Sequence, residues 1–261
     1  MMLKILKYSF FDLMRSRWSY VYFLFYLLLG IVLLFLNNDL SKAVITLMNV
    51  IIVLVPLIGT IFGVMYYYNS REFTELLLAQ PVKRSSIFLG QYFGVACSLA
   101  MSLVIGLGLP FVFYGIFNSN AIWDFSLLLV TGAFLTLIFT ALAFVIALAN
   151  ENKIKGFGYA ILLWLFMAVI YDGLFLMSLV YFEDYPLDKF SLAATMLNPV
   201  DLSRVLILLK LDISALLGYT GAVFQQFFGT NFGLIISVIM LALWVLIPTG
   251  IIYRMAKRKD F

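Results

Sequence analysis

The sequence has 261 residues, of which 64% are hydrophobic and only 11% are charged. A soluble domain has about a quarter of its residues charged, so this composition excludes the soluble classes and indicates an integral membrane protein. The length allows about six membrane spans and leaves no room for a soluble catalytic domain. The net charge of +4 does not indicate nucleic-acid binding, because the Lys and Arg residues cluster beside hydrophobic segments, where membrane topology explains them.

Several classes of active site are missing from the sequence. There is no histidine, and the one cysteine, Cys97, lies inside a hydrophobic run, so a disulfide framework or a metal site of His and Cys ligands is excluded. The eleven methionines are scattered, which favours core filling over a copper pathway. Walker, GxSxG and HExxH motifs are absent, so the sequence predicts no catalytic residues and no ATPase site.

The first 17 residues are basic and amphipathic. Lys4, Lys7, Arg15 and Arg17 are interleaved with apolar side chains, and no cleavage site of a signal peptide follows. The pattern predicts a helix lying on the anionic inner leaflet. Ordinary positive charge flanking a first span explains the same residues equally well.

Hydrophobicity predicts six transmembrane helices and an all-α fold. In span 2, Pro56 followed by two glycines suggests a kink and a close helix contact. In span 3, the stretch from Gly106 to Pro110 predicts a helix that bends or splits near the outer leaflet. The predicted spans cover residues 18–36, 43–68, 88–117, 125–149, 156–181 and 232–253.

The distribution of basic residues predicts the orientation of these spans. Thirteen of the 17 Lys and Arg residues fall in the segments that six spans would place on one side, including both ends of the chain. Because cytoplasmic segments carry the excess of Lys and Arg, both termini are expected in the cytoplasm.

A short charged stretch, REFTELLLAQPVKRSSIFLGQ at residues 71–91, separates spans 2 and 3. Its charged side chains would each cost roughly several kcal/mol in hydrocarbon, so it is not a span. Three consecutive leucines from Leu76 follow a charged first turn, and Pro81 ends the helix. The stretch therefore predicts a short helix at the cytoplasmic membrane face, with an apolar side that needs a partner.

The long connection between spans 5 and 6, residues 182–231, is also helical. Asn198, Pro199 and Asp201 form a favourable helix start. From Leu202 the leucines and valines recur at helical spacing, while Asp201 and Arg204 fall on other faces, which predicts a helix lying on the outer surface. Residues 214–229 are expected to dip back toward the bundle, and a packed lid without a contact role fits them equally well.

Asp172 is the one carboxylate that lies well inside a predicted span. An acid at membrane depth serves as a proton relay, a cation ligand or an ion-pair partner. Asp172 is also close enough to the outer interface to be simply hydrated, so these roles stay open.

The chain resembles the permease subunits of ABC-2 type transporters in four features. These are six spans, an amphipathic first helix, a helical outer excursion, and the motif E-L-L-L-x-Q-P-V-x-R between spans 2 and 3. The resemblance covers nearly the whole chain and implies a single transmembrane domain over residues 1–261. It implies that ATP and magnesium bind to a separate ABC ATPase, that this chain has no cofactor or enzyme activity of its own, and that it forms a homodimer. In the family, the segment at residues 71–87 is the coupling helix that docks on the ATPase. The resemblance therefore implies that the following residues couple this chain to the ATPase: Arg71, Glu72, Phe73, Glu75, Leu76, Leu77, Leu78, Gln80, Pro81 and Arg84.

A narrower resemblance lies in the outer segment, residues 197–229. It is similar to the subfamily of these permeases that serves maturation of nitrous oxide reductase with a cytoplasmic ATPase and a periplasmic β-helical protein. This implies a place in the bacterial inner membrane and a role in copper–sulfur centre assembly, by moving a sulfur species or by transmitting motion. It also implies contact between the periplasmic partner and Asn198, Pro199, Asp201 and Arg204.

Other functions stay open on the residues alone. One is an ABC-2 exporter of another substrate. Another is an ion-coupled secondary transporter that uses Asp172 as its ion site. An intramembrane enzyme is disfavoured, because the sequence has no histidine and no pair of acids at membrane depth. A passive membrane anchor would leave residues 71–87 without nucleotide-dependent contacts.

Overall fold

The computed structural model describes residues 1–37, 40–119, 121–182, 187–210, 221–228 and 231–258. Over these residues the chain is helical, and six helices are long and apolar enough to cross a membrane, which confirms the six predicted spans. The end of the bundle that bears α4 is called the inner end below, following the predicted orientation, which itself stays a prediction. The helices are α1 (Met2–Arg15), α2 (Arg17–Leu36), α3 (Leu40–Asn69), α4 (Arg71–Leu78), α5 (Arg84–Phe113), α6 (Ile122–Ala149), α7 (Lys153–Leu165), α8 (Tyr171–Tyr181), α9 (Asp188–Leu197), α10 (Pro199–Lys210), α11 (Gly221–Phe228) and α12 (Asn231–Arg258).

Three of the six spans form the centre of the bundle. In α3, α5 and α6, half or more of the apolar window is buried, whereas α2, α12 and the span made of α7 and α8 are mostly exposed. The contact between α3 and α6 is close because Gly63 faces Ala143, where an added Cβ would lie only 2.8 Å from the alanine Cβ. The close helix contact predicted for span 2 is present, and α3 continues as a helix through Pro56.

The predicted break in span 3 is wrong. Helix α5 continues without interruption through Gly106 and Pro110 to Phe113. The glycine serves packing instead, since a Cβ there would lie 2.9 Å from the Cβ of Tyr26. The ring of Pro110 likewise lies 3.1 Å from the Cβ position of Gly30 on α2. These small residues let α2 and α5 approach closely, which a pattern of helix breakers does not reveal.

Helix α1 packs lengthwise along the inner half of α5. Ile5 lies against Gly90, and Ser9 lies against Gly94 one turn further on both helices, so the two run in the same direction. The side of the predicted amphipathic helix that bears Ile5, Ser9 and Leu13 is therefore covered by protein. Its basic side chains are exposed, and their placement on the inner leaflet stays a prediction.

Helices α9 and α10 form an outer hairpin, bent by 115° at their junction. The expectation of a surface-lying helix is wrong for α10, because the helix is apolar on nearly all sides and packs against α3, α6 and α12. Of the segment expected to dip back, residues 211–220 and 229 lie outside the described residues, while α11 packs against α12. The buried apolar residues of α10 are Val200, Leu202, Val205, Leu206, Ile207 and Leu208.

Candidate functional site

Helix α4 forms where the sequence predicts it and follows α3 after a single residue. The carbonyl of Ser70 accepts the backbone N–H of Thr74 at 2.9 Å, which starts the helix, and the turn before Pro81 ends it. Arg71 and Glu75 form an exposed ion pair at 3.0 Å one turn apart. Such a surface pair contributes only about 0.5 kcal/mol, so α4 depends on its attachment to the bundle.

The two faces of α4 differ sharply in exposure. Thr74 is the one buried residue of this helix, at 6% exposed, whereas Leu76 is 68% exposed. At 3.6 residues per turn, Leu76 lies about 200° around the helix from Thr74, so the two point in opposite directions. Of the predicted coupling residues, Phe73, Leu77 and Leu78 are half-buried, and Arg71, Glu72, Glu75, Leu76, Gln80, Pro81 and Arg84 are exposed.

A buried hydrogen bond attaches the inward face of α4 to α5. The Nε2 of Gln91 donates to the Oγ1 of Thr74 at 2.8 Å, and the Thr74 hydroxyl donates to the Ser70 carbonyl at 2.8 Å. Gln91 is fully buried, and within the described part of the chain its Oε1 has no hydrogen-bond partner. This pair was not predicted from the sequence, although a lone glutamine two turns into an apolar helix is a visible signal.

The first helix also reaches α4. The rings of Tyr8 and Phe73 stack with their centroids 4.5 Å apart and their planes 23° apart. Because α1 is itself packed on α5 at Gly90 and Gly94, this aromatic pair gives α4 a second lateral contact.

The end of α3, from which α4 departs, is fixed to the turn between α6 and α7. The Tyr68 hydroxyl donates to the carbonyl of Asn150 at 2.7 Å. The Nζ of Lys153 donates to the Oδ1 of Asn69 at 3.1 Å. Helix α4 therefore starts from a firm support on the inner side of the bundle.

An ionic cluster of three side chains occupies the outer end. The Nη1 of Arg204 lies 2.6 Å from the Oδ2 of Asp172 and 3.5 Å from the Oδ1 of Asp201. Of the roles considered for Asp172, the structure shows the ion pair. A cation at Asp172 would have to compete with this guanidinium, so the pairing weighs against Asp172 as the ion site of a secondary transporter.

Asn198 connects this cluster to a short π-helical segment, Phe166–Ile170, which joins α7 and α8 and is called the π turn below. Its Oδ1 accepts the backbone N–H of Val200 at 3.0 Å, which is the predicted N-cap. Its Nδ2 donates to the Oδ2 of Asp201 at 2.9 Å and to the Met167 carbonyl in the π turn at 2.8 Å. Such a turn interrupts the regular helical ladder and is frequent at functional sites.

The electrostatics of the outer cluster centre on Asp201, which is 7% exposed. Burial raises the pKa of Asp201 to about 6; the Arg204 guanidinium opposes this increase, and the nearby Asp172 carboxylate adds to it. The Oδ1 of Asp201, which lies 3.5 Å from the Arg204 Nη1, accepts no hydrogen bond from the residues that the structure describes. Two carboxylates thus share one guanidinium, and burial disfavours the charged form of Asp201.

Two further hydrogen bonds attach the outer hairpin to neighbouring spans. The Tyr171 hydroxyl donates to the Ala194 carbonyl at 2.7 Å, and the indole N–H of Trp244 donates to the Met196 carbonyl at 3.2 Å. Helix α8 has no buried residue of its own. The outer half of this span is therefore attached to the bundle largely through the hairpin.

The residues predicted to contact a periplasmic partner have intramolecular roles. Asn198, Pro199 and Asp201 are buried, and the Arg204 side chain is only 26% exposed. Their contact with a partner protein stays a prediction. Within the ranges that the structure describes, no three Cys, Asp or Glu side chains gather closely enough to hold a metal ion.

Comparison with known proteins places these features in context. Residues 8–215 match the family described as ABC-2 family transporter protein. The chain is similar to the probable ABC transporter permease protein NosY of Stutzerimonas stutzeri, with 22% identity over 266 residues that cover 95% of each chain. It is also similar to the probable ABC transporter permease protein NosY of Pseudomonas aeruginosa, with 25% identity over 230 residues that cover 78% of this chain and 80% of the relative.

Proposed function

We propose that α4 is the coupling helix through which this chain acts on a separate ATPase. The proposal starts from the family: the chain belongs to the ABC-2 family and is a permease subunit of an ABC transporter. The observation that carries this proposal is the geometry of α4. It is a short helix whose inward face is anchored by Thr74, and whose outward face exposes Leu76 beside Glu72. A helix that exposes apolar side chains can dock them in a hydrophobic groove of a partner protein, and Leu76 is exposed for such a contact.

The coupling is mechanical in this proposal. Helix α4 lies between α3 and α5, so a displacement of the ATPase reaches two central spans of the bundle. A homodimer related by a two-fold axis would present two such helices to two ATPases, and rigid-body shifts of packed helices are an established mode of switching. ATP and magnesium bind to the ATPase in this scheme, and the permease chain supplies the moving membrane part.

We also propose which process the ATPase-driven motion serves. Similarity to the two NosY permeases over most of their length, together with the resemblance at residues 197–229, supports service to copper–sulfur centre assembly of nitrous oxide reductase in the inner membrane. The outer hairpin then faces a periplasmic β-helical partner. Export of a different substrate by the same ABC-2 machinery is the alternative.

Affinity purification of the tagged chain from its native membranes tests the coupling proposal. The wild type should retain an ATPase with a Walker motif, identified by mass spectrometry, and Leu76→Arg should lose it because a charge replaces the exposed apolar anchor. Leu3→Arg is the matched control, since Leu3 is an equally exposed leucine on α1 at 76%. Recovery of no ATPase with the wild type, or of equal amounts with both variants, would reject the proposal.

A further inference from the structure

The hydrogen bond between Gln91 and Thr74 is not explained by packing. Gln91 is fully buried among apolar neighbours in α5, where a leucine would fill similar space without a polar group to desolvate. Its amide N–H is used on Thr74, and its Oε1 has no partner. A buried amide that is only half satisfied is unfavourable for packing, so its use lies in what the donated hydrogen bond holds in place.

That hydrogen bond fixes the rotation of α4 about its own axis. The chain connections at Ser70 and after Leu78 hold the two ends of the helix, and between them Thr74 is its one buried side chain. Thr74 lies on the face opposite Leu76, so a bond at Thr74 resists any roll that a force on Leu76 would produce. The stack of Phe73 on the half-exposed Tyr8 restrains one flank only.

A chain of hydrogen bonds that includes this bond joins three helices. From Gln91 on α5 it reaches Thr74 on α4, and the Thr74 hydroxyl continues it to the carbonyl of Ser70. The N–H of Ser70 in turn donates to Tyr66 in the last turn of α3. A push on α4 is thereby conveyed to α3 along the backbone and to α5 laterally through Gln91.

We propose that Gln91 is a positioning residue whose hydrogen bond to Thr74 transmits displacements of α4 into α5. The inference rests on the proposed coupling function and deepens it by naming the contact that carries the movement. Without this bond, α4 still docks on the ATPase through Leu76, but it rolls against α5, and the ATPase cycle no longer moves the outer end of that span.

The test uses the full complex of this chain with its ATPase in lipid nanodiscs. Spin labels at Phe113→Cys and Tyr181→Cys, in a Cys97→Ala background, report the distance between the outer ends of α5 and α8. Both positions are suitable because Phe113 is 86% exposed and Tyr181 is 81% exposed. Three quantities are measured for each variant: the affinity for the ATPase, the rate of ATP hydrolysis, and the change in label distance when nucleotide is added.

Gln91→Leu and Thr74→Val should keep the wild-type affinity for the ATPase and lose most of the nucleotide-dependent distance change. Thr74→Ser keeps the hydroxyl and should behave as the wild type. Ser98→Ala is the matched control, because Ser98 is an equally buried polar residue on α5 about two turns further along. If Gln91→Leu does not fold, Thr74→Val removes the same bond from the other side.

A full distance change in Thr74→Val and Gln91→Leu would overturn the inference. Loss of ATPase affinity in these variants would also overturn it, because the bond would then shape the docking surface rather than transmit motion. If the wild-type chain itself bound no ATPase, the proposed function would be wrong. The affinity measurement on the wild type distinguishes this outcome from a failure of the inference about Gln91 alone.

Discussion

The inner and outer ends of this bundle attach their short helices by different chemistry. At the inner end, neutral groups hold α4: an amide on a hydroxyl, and one aromatic ring on another. At the outer end, charged groups hold the α9–α10 hairpin, with Arg204 between Asp172 and Asp201. Neutral contacts change little with pH, and each contributes little to stability. Removal of one member of a buried charged cluster, in contrast, lowers the free energy of unfolding strongly, because it leaves a charge without its partner. The inner attachment is therefore suited to repeated movement, and the outer attachment to holding two spans together.

The largest expected effect is at the outer end. Arg204→Leu leaves the half-buried Asp172 and the buried Asp201 as neighbouring carboxylates without a counter-charge, and it should lower the free energy of unfolding by about 3 kcal/mol. Thermal unfolding in detergent measures this. Adding Asp172→Asn should restore part of the loss. An unchanged melting temperature in the single variant would show that the cluster does not hold the hairpin.

The next effect is on the packing of α1, which supports the inner attachment. In Gly94→Ala the new Cβ would lie 2.6 Å from the Cβ of Ser9 and 2.8 Å from a backbone oxygen of α1. The helices must separate, which should lower the free energy of unfolding by about 2 kcal/mol. Gly108→Ala on the same helix is the control, because no atom lies within 4 Å of the Cβ position there. Equal melting temperatures for the two variants would contradict the close α1–α5 contact.

A smaller effect is expected from pH at the outer end only. The pKa of Asp201 is raised in the folded chain to about 6 from an ordinary value of 3.8, so between these values the folded state binds more protons than the unfolded state. Stability from this residue should therefore increase as pH falls, by about 1 kcal/mol between about pH 7 and about pH 5. The measurement is the difference between the wild type and Asp201→Asn at each pH. A difference that stays constant across this range would contradict the raised pKa.

The smallest expected effect on stability is at the inner hydrogen bond. Gln91→Leu removes a bond that contributes about 1 kcal/mol, but it also removes the unpaired Oε1, so the net change should be within about 0.5 kcal/mol. Thr74→Val should be more destabilising, because it leaves the whole Gln91 amide buried without a partner. If Gln91→Leu were instead as destabilising as Arg204→Leu, the contrast between the two ends would be lost.

The positions of the spans and of α4 could be predicted from the sequence, but the contacts between helices could not. Span positions follow from apolar run length, and α4 follows from its charged first turn and Pro81, because both signals are local. The burial of α10 was missed because its helical spacing was judged as amphipathic. Arg204 looked like a solvent-facing charge, whereas its partner, Asp172, lies 32 residues earlier. A long-range ion pair leaves no local signal in one sequence.

The contact through small residues in span 3 was misjudged for the same reason, whereas the one in span 2 was predicted. Gly106 and Pro110 suggested a helix break, and they serve the close approach of α2 to α5. The bond between Thr74 and Gln91 joins residues 17 positions apart across a turn, so their proximity depends on how α4 folds back on α5. A buried glutamine in an apolar run is the type of residue that sequence analysis can flag, although it cannot name its partner.

Trp244 gives the outer hairpin a built-in optical reporter. Its indole hydrogen bond to Met196 breaks if the hairpin leaves α12, which would alter the emission of that tryptophan. Trp18 and Trp123 are exposed, so replacing them with phenylalanine reduces the background with little disturbance of packing. Trp164, whose indole donates to the Val53 carbonyl, remains as a second emitter, so the difference in emission from a matched Trp244→Phe variant is the signal that follows the hairpin.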